Sequence, residues 1–134
     1  MRSSSRCSGQ LMATIVIVEP DFAIRVLLAE WLTADGYTVN LFSHMTATGG
    51  ALVSADLLIV DLPSPRLQQA TPLAEMNSTR PGLAAIGLST SLSRSLGGDS
   101  AIARSLGLAC VLAKPCERLE LLGAVRDVLG QRRA

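Results

Sequence analysis

The chain is poor in aromatic residues. Its 134 residues hold one Trp, one Tyr and two Phe, 3% in all, so a core must come from Leu, Val, Ile and Ala. That supply is ample, since 49% of residues are apolar and 17% charged. The length suits one domain. Histidine is nearly absent: His44 stands alone, which argues against a histidine-rich metal site and against a Ser-His-Asp triad. The cysteines are Cys7, Cys110 and Cys116, an odd number with no CxxC spacing; they read as free thiols in a reducing compartment. No apolar run reaches the ~18 residues of a membrane span, and "MRSSSRCSGQL" has no hydrophobic stretch of signal-peptide length. The expected location is the cytoplasm. With a net charge of +1 and no basic run, direct nucleic-acid binding is not expected. Lysine is the scarcest charge of all: among twelve basic residues, only Lys114 is not an arginine.

What is present is an alternation of apolar β-branched runs with helical-period segments, the pattern of repeated βα units. "TIVIVE" (14–19) reads as a buried first strand. Asp21 can cap a following helix, in which Ile24, Leu27, Leu28, Trp31 and Leu32 form one apolar stripe and Gly36 supplies the stop. "YTVNLF" (37–42) reads as an edge strand, 44–54 as a weak helix interrupted by Gly49 and Gly50, and "DLLIVD" (56–61) as a central strand. A third helix is expected near 66–77, a fourth strand at "LAAIGL" (83–88), and a fourth helix at "SAIARSLG", capped by Asp99. "ACVLA" (109–113) reads as strand five. "ERLELLGAVRDVLG" is a last helix with Leu121, Leu122, Val125, Val128 and Leu129 facing inward. Right-handed crossovers then favour an α/β fold, a doubly wound five-stranded parallel sheet with helices on both faces. Residues 1–12 read as a disordered lead-in, with Met12 as an alternative start, and 13–131 as one domain.

In such a sheet, functional groups gather at the carboxyl ends of the strands. Those ends carry Glu19 with Asp21 (strand one), Asp61 (strand three), Ser89 and Thr90 (strand four) and Lys114-Pro115 (strand five). Singly, each is ordinary: a helix cap, a strand-end acid, a loop hydroxyl, a solvated lysine. Together on one rim, they suit phosphoryl handling. A carboxylate can act as nucleophile, while an ammonium and a hydroxyl hold phosphoryl oxygens and a divalent cation offsets charge. A nucleotide-binding enzyme is a poor alternative. "EPDFAIR" after strand one has no glycines for a pyrophosphate, and there is no P-loop.

The order "IVIVEPDFAIRVLLAEWLTADGY", "DLLIVDLPSP", "AAIGLSTS", "ACVLAKPCERLELLGAVRDVL" resembles a response-regulator receiver domain of two-component signalling, over about residues 13 to 130. The resemblance implies the flavodoxin-like strand order 2-1-3-4-5. It implies Asp61, followed four residues later by Pro65, as phosphoacceptor, and Ser89 and Lys114 as phosphoryl-binding residues. It also implies a cis bond before Pro115. It points to a single-domain receiver, not an enzyme, that takes phosphate from a histidine kinase or phosphotransfer protein. Its downstream protein would dock on helix four, strand five and helix five; a second copy of the chain is a further candidate partner.

The match has gaps. The family's second acid, which binds Mg²⁺, is here Pro20. Glu19, Asp61 and the backbone carbonyl of Pro63 are left to hold Mg²⁺, weakly. The aromatic that many receivers carry three residues before the lysine is Val111. Losing one acid relieves repulsion among carboxylates, and a proline fixes the strand-to-helix turn, so a metal-free fold is expected to stand on its own. The alternative function is a phosphorylation-independent pseudo-receiver, an interaction adaptor.

Overall fold

The computed structural model describes residues 13–44, 47–62, 82–90, 95, 97 and 101–133. The elements are β1 (Thr14–Val18), α1 (Phe22–Ala34), β2 (Thr38–Phe42), a 3-10 helix (Gly49–Ser54), β3 (Leu57–Asp61), β4 (Ala85–Ser89), α2 (Ala101–Leu106), β5 (Cys110–Ala113) and α3 (Arg118–Arg133). The five strands form one sheet in the order β2-β1-β3-β4-β5. Every pairing is parallel, with Val18 opposite both Phe42 and Val60, Asp61 opposite Leu88, and Ser89 opposite Ala113. The expected architecture and strand order are both found.

The sheet is buried on its two faces, as its nearly continuous apolar strands require. One face carries Ile15, Ile17, Leu57, Ile59 and Leu88, covered by Leu28 and Leu32 of α1 and by Leu121, Leu122 and Val125 of α3. The other carries Val16, Val18, Leu58 and Val60, covered by Leu52 of the 3-10 helix, Ala103 of α2 and Leu108. Each large side chain removed from water contributes roughly 1.5–3 kcal/mol, so aliphatic residues suffice where aromatics are few. β4 allows close packing because Gly87 has no side chain: a Cβ there would lie 2.7 Å from Leu62 Cδ1 and 3.0 Å from Leu108 Cδ1.

α1 starts and stops as its sequence directs. The Asp21 carboxylate accepts the Ile24 N–H at 3.1 Å. At the other end, Gly36 adopts φ 101°, a left-handed conformation that a side chain disfavours. It lets Gly36 and Tyr37 donate to the carbonyls of Thr33 and Leu32. The apolar stripe is only partly inward. Leu28 and Leu32 are buried, but Leu27 is 42% exposed, because it falls on the flank of the stripe. In the expected second helix, the described helical segment is a six-residue 3-10 turn starting at Gly49, whose φ is 52°; paired glycines disfavour a longer helix there. All five inward positions expected of the last helix are buried in α3. The lead-in 1–12, the third helix and the Asp99 cap lie outside the described residues, as do Cys7, Pro63 and Pro65. Cys110 and Cys116 are free thiols, each with its pKa pushed up, chiefly by burial.

Candidate functional site

The parallel register ends β1, β3, β4 and β5 at one rim, and this places the site. Glu19 follows the last residue of β1, and its N–H donates to the Phe42 carbonyl at 3.0 Å. Asp61 is the last residue of β3. Lys114 follows β5, and its N–H donates to the Ser89 carbonyl at 2.8 Å. The Lys114–Pro115 peptide bond is cis.

Three charged side chains meet there. Lys114 Nζ lies 3.0 Å from Glu19 Oε1 and 2.5 Å from Asp61 Oδ1. The side chains of Glu19 and Lys114 are 2% and 8% exposed, while that of Asp61 keeps 15%; Asp61 is therefore the member most open to an incoming group. Burial pulls the Lys114 ammonium towards the neutral form, but hydrogen bonds to Asp61 and Glu19 outweigh it, and its pKa stands above the ordinary lysine value. An apolar cavity of about 70 Å³ flanks Lys114 and Pro115 and is lined in part by Ile24, Leu28, Trp31 and Leu88. Ser89 is fully buried at the end of β4, next to Lys114 through the backbone, whereas Thr90 is exposed.

Sequence reasoning missed what fixes the β1–α1 turn. The Asp21 N–H donates to Glu19 Oε2 at 3.0 Å. Arg25 Nη1 donates to the Glu19 carbonyl at 2.6 Å and lies 3.4 Å from that of Pro20, with its guanidinium 5.5 Å from the centre of the Phe22 ring. Only the position of Arg25 in the first turn of α1, six residues after Glu19, could have signalled this contact. Asp21 is spent on the helix cap.

The described side chains of this rim do not fit a divalent cation. Pro20 has no side-chain ligand, Asp21 caps α1, and both Glu19 oxygens are engaged, one by Lys114 and one by a backbone N–H. Among the described residues, no three His, Cys, Asp or Glu side chains are grouped so as to hold a metal ion. Mg²⁺ prefers near-octahedral oxygen ligation, and of Glu19 and Asp61 only Asp61 keeps a carboxylate oxygen with no hydrogen bond among the described residues.

No protein-family model matches the sequence, and no curated protein matches it. Solved structures do. A CheY-like response regulator receiver domain protein from Methanospirillum hungatei JF-1 superposes with a TM-score of 0.75, at 21% identity over 91% of this chain and 97% of that one. A response regulator receiver domain protein from Clostridium thermocellum gives 0.73, at 22% identity over 91% and 98%. The signal receiver domain of an HD domain-containing protein from Pseudomonas fluorescens Pf-5 gives 0.72, at 23% identity over 91% and 98%. The fold is that of a response-regulator receiver domain. Within this receiver fold, Val111 is fully buried against the face that carries Val60 and Leu108, so a small aliphatic side chain fills the position where the resemblance implied an aromatic. Among the described residues, no helix is long and apolar enough to cross a membrane.

Proposed function

We propose that this chain is a receiver in two-component phosphorelay signalling, phosphorylated on Asp61 by a histidine kinase or phosphotransfer protein. One observation carries the reading: Asp61, the most open of three converging charged groups, is held at 2.5 Å by the only lysine of the chain. In the reaction, the Asp61 oxygen not bound by Lys114 attacks the phosphorus of a phosphohistidine. A P–O bond forms and the P–N bond breaks. Its electron pair returns to the imidazole nitrogen, giving an acyl phosphate and free histidine. Lys114 Nζ is placed to balance charge on the phosphoryl oxygens. The signal passes to a downstream protein on the surface of α2, β5 and α3. The test is intact-mass analysis after incubation with acetyl phosphate or a phosphorylated donor protein. A phosphoryl adduct that Asp61→Asn abolishes is expected, and no adduct from any donor overturns the reading.

A second reading has an observation of its own. With Pro20 in the turn and both Glu19 oxygens engaged, the pocket is complete without a phosphoryl group, as an adaptor that binds its partner unmodified requires. Under that reading, Asp61→Asn leaves partner affinity unchanged; under the first, it removes the response to phosphodonor.

A further inference from the structure

We infer that Lys114 and Arg25 together take the place of a divalent cation, so that this pocket is closed to Mg²⁺. The inference rests on the reading of the Asp61 rim as the receiver pocket, and it follows from what each polar atom there already does. Metal ions at a carboxylate pocket perform two tasks: they neutralise clustered negative charge, and they tie the ligand-bearing loops together. Lys114 performs the first. Its ammonium sits between Glu19 and Asp61 and bridges the ends of β1 and β3. Arg25 performs the second. Its guanidinium reaches back past the helix start to bind the Glu19 carbonyl and reaches towards that of Pro20, fixing the turn from inside α1. The remaining Glu19 oxygen is taken by the Asp21 N–H.

A cation held between Glu19 and Asp61 would have to displace the Lys114 ammonium from two carboxylates at once, at a site with 2% and 8% exposure on two of its three members. In the β1–α1 turn, Pro20 offers no carboxylate to hold the displaced ammonium. One ammonium and two carboxylates are already in hydrogen-bond contact in water-poor surroundings, and removing the ammonium from such a set is far more costly than losing a surface pair.

The experiment uses the full chain without any phosphodonor. Thermal unfolding is recorded with Mg²⁺ from zero to about 10 mM. A site half-filled at about 1 mM would raise the midpoint by only about 2 °C at that concentration but by about 5 °C at about 10 mM; no such shift is expected for the wild type. In Lys114→Met, a lower midpoint that Mg²⁺ partly restores is expected, because two facing carboxylates are then uncompensated. A second readout stands if that variant fails to fold: Mn²⁺ broadening of the Trp31 indole N–H resonance, the only indole in the chain and a neighbour of Lys114 across the cavity. The wild-type resonance is expected to stay sharp. A Mg²⁺-dependent rise of several degrees in the wild type, or Mn²⁺ broadening that excess Mg²⁺ reverses, overturns the inference. Failure of phosphorylation leaves these measurements untouched, and metal binding leaves the Asp61 adduct test untouched, so the two ideas fall separately.

Discussion

Two ion pairs tie the region of α1 to the second half of the chain, and they differ in almost every respect. Lys114 joins Glu19 and Asp61 with side chains 8%, 2% and 15% exposed. Arg126 of α3 meets both carboxylate oxygens of Asp35, the residue that ends α1, at 3.1 Å, with side chains 54% and 25% exposed. The second shares one guanidinium nitrogen, Nη2, between both oxygens of a single carboxylate. Yet water screens it, and either partner can be resolvated if the other is lost. The first has no such recourse. Geometry therefore does not rank the two; burial does, and the weight of a charged contact here lies in what breaking it leaves behind.

That ranking can be broken in stages. The largest effect is expected from Lys114→Met, which leaves two buried carboxylates facing each other. A loss of about 3–5 kcal/mol is expected, read from urea unfolding, and a loss below about 1 kcal/mol would erase the distinction between the pairs. Next comes Arg25→Ala, which removes charged hydrogen bonds to backbone carbonyls in the β1–α1 turn. About 1.5–3 kcal/mol is expected, with hydrogen exchange accelerating first at the amides of 19–25. Arg126→Ala should cost no more than about 1 kcal/mol, and the cost should vanish in high salt.

The smallest effect concerns a single titration. Tyr37 is the only tyrosine, so tyrosinate absorbance reports it alone. Burial and then the Asp35 charge raise its pKa, while Arg126 lowers it. The midpoint is expected above the ordinary value of about 10, and higher still in Arg126→Ala. The sign for stability follows: the contribution of neutral Tyr37 is fully present below the unfolded-state pKa and is lost as pH rises through the folded one. A midpoint that falls in Arg126→Ala would show that the surface pair does not act on Tyr37 as its geometry indicates.

The scaffold was legible because its signals are local. Short apolar runs such as Ile15–Val18 and Leu57–Val60, bounded by polar residues, read as buried strands, and right-handed crossovers limit how they are ordered. Leu27 misled because periodicity marks a stripe without marking its edge. At the rim, Asp61, Ser89 and Lys114 could be named because strand ends converge in this topology, and Asp21 could be weighed as a cap. The contacts themselves could not. No pattern in the sequence says that one ammonium reaches two acids, or that Glu19 is 1% exposed. The role of Arg25 depends on a side chain folding back on the preceding turn, a matter of rotamer rather than composition.

Ser95 has a consequence beyond the pocket. Its hydroxyl accepts the Ala113 N–H at 2.9 Å and donates to the Glu120 carboxylate at 2.6 Å. Ala113 belongs to β5, a strand with sheet on one side only. A bare strand margin invites pairing with any extended segment that drifts by. Here Ser95, which lies between β4 and α2 in the sequence, occupies that backbone donor and is itself anchored to the first turn of α3, so one hydroxyl closes a hydrogen-bonding position that a foreign strand would otherwise use to extend the sheet.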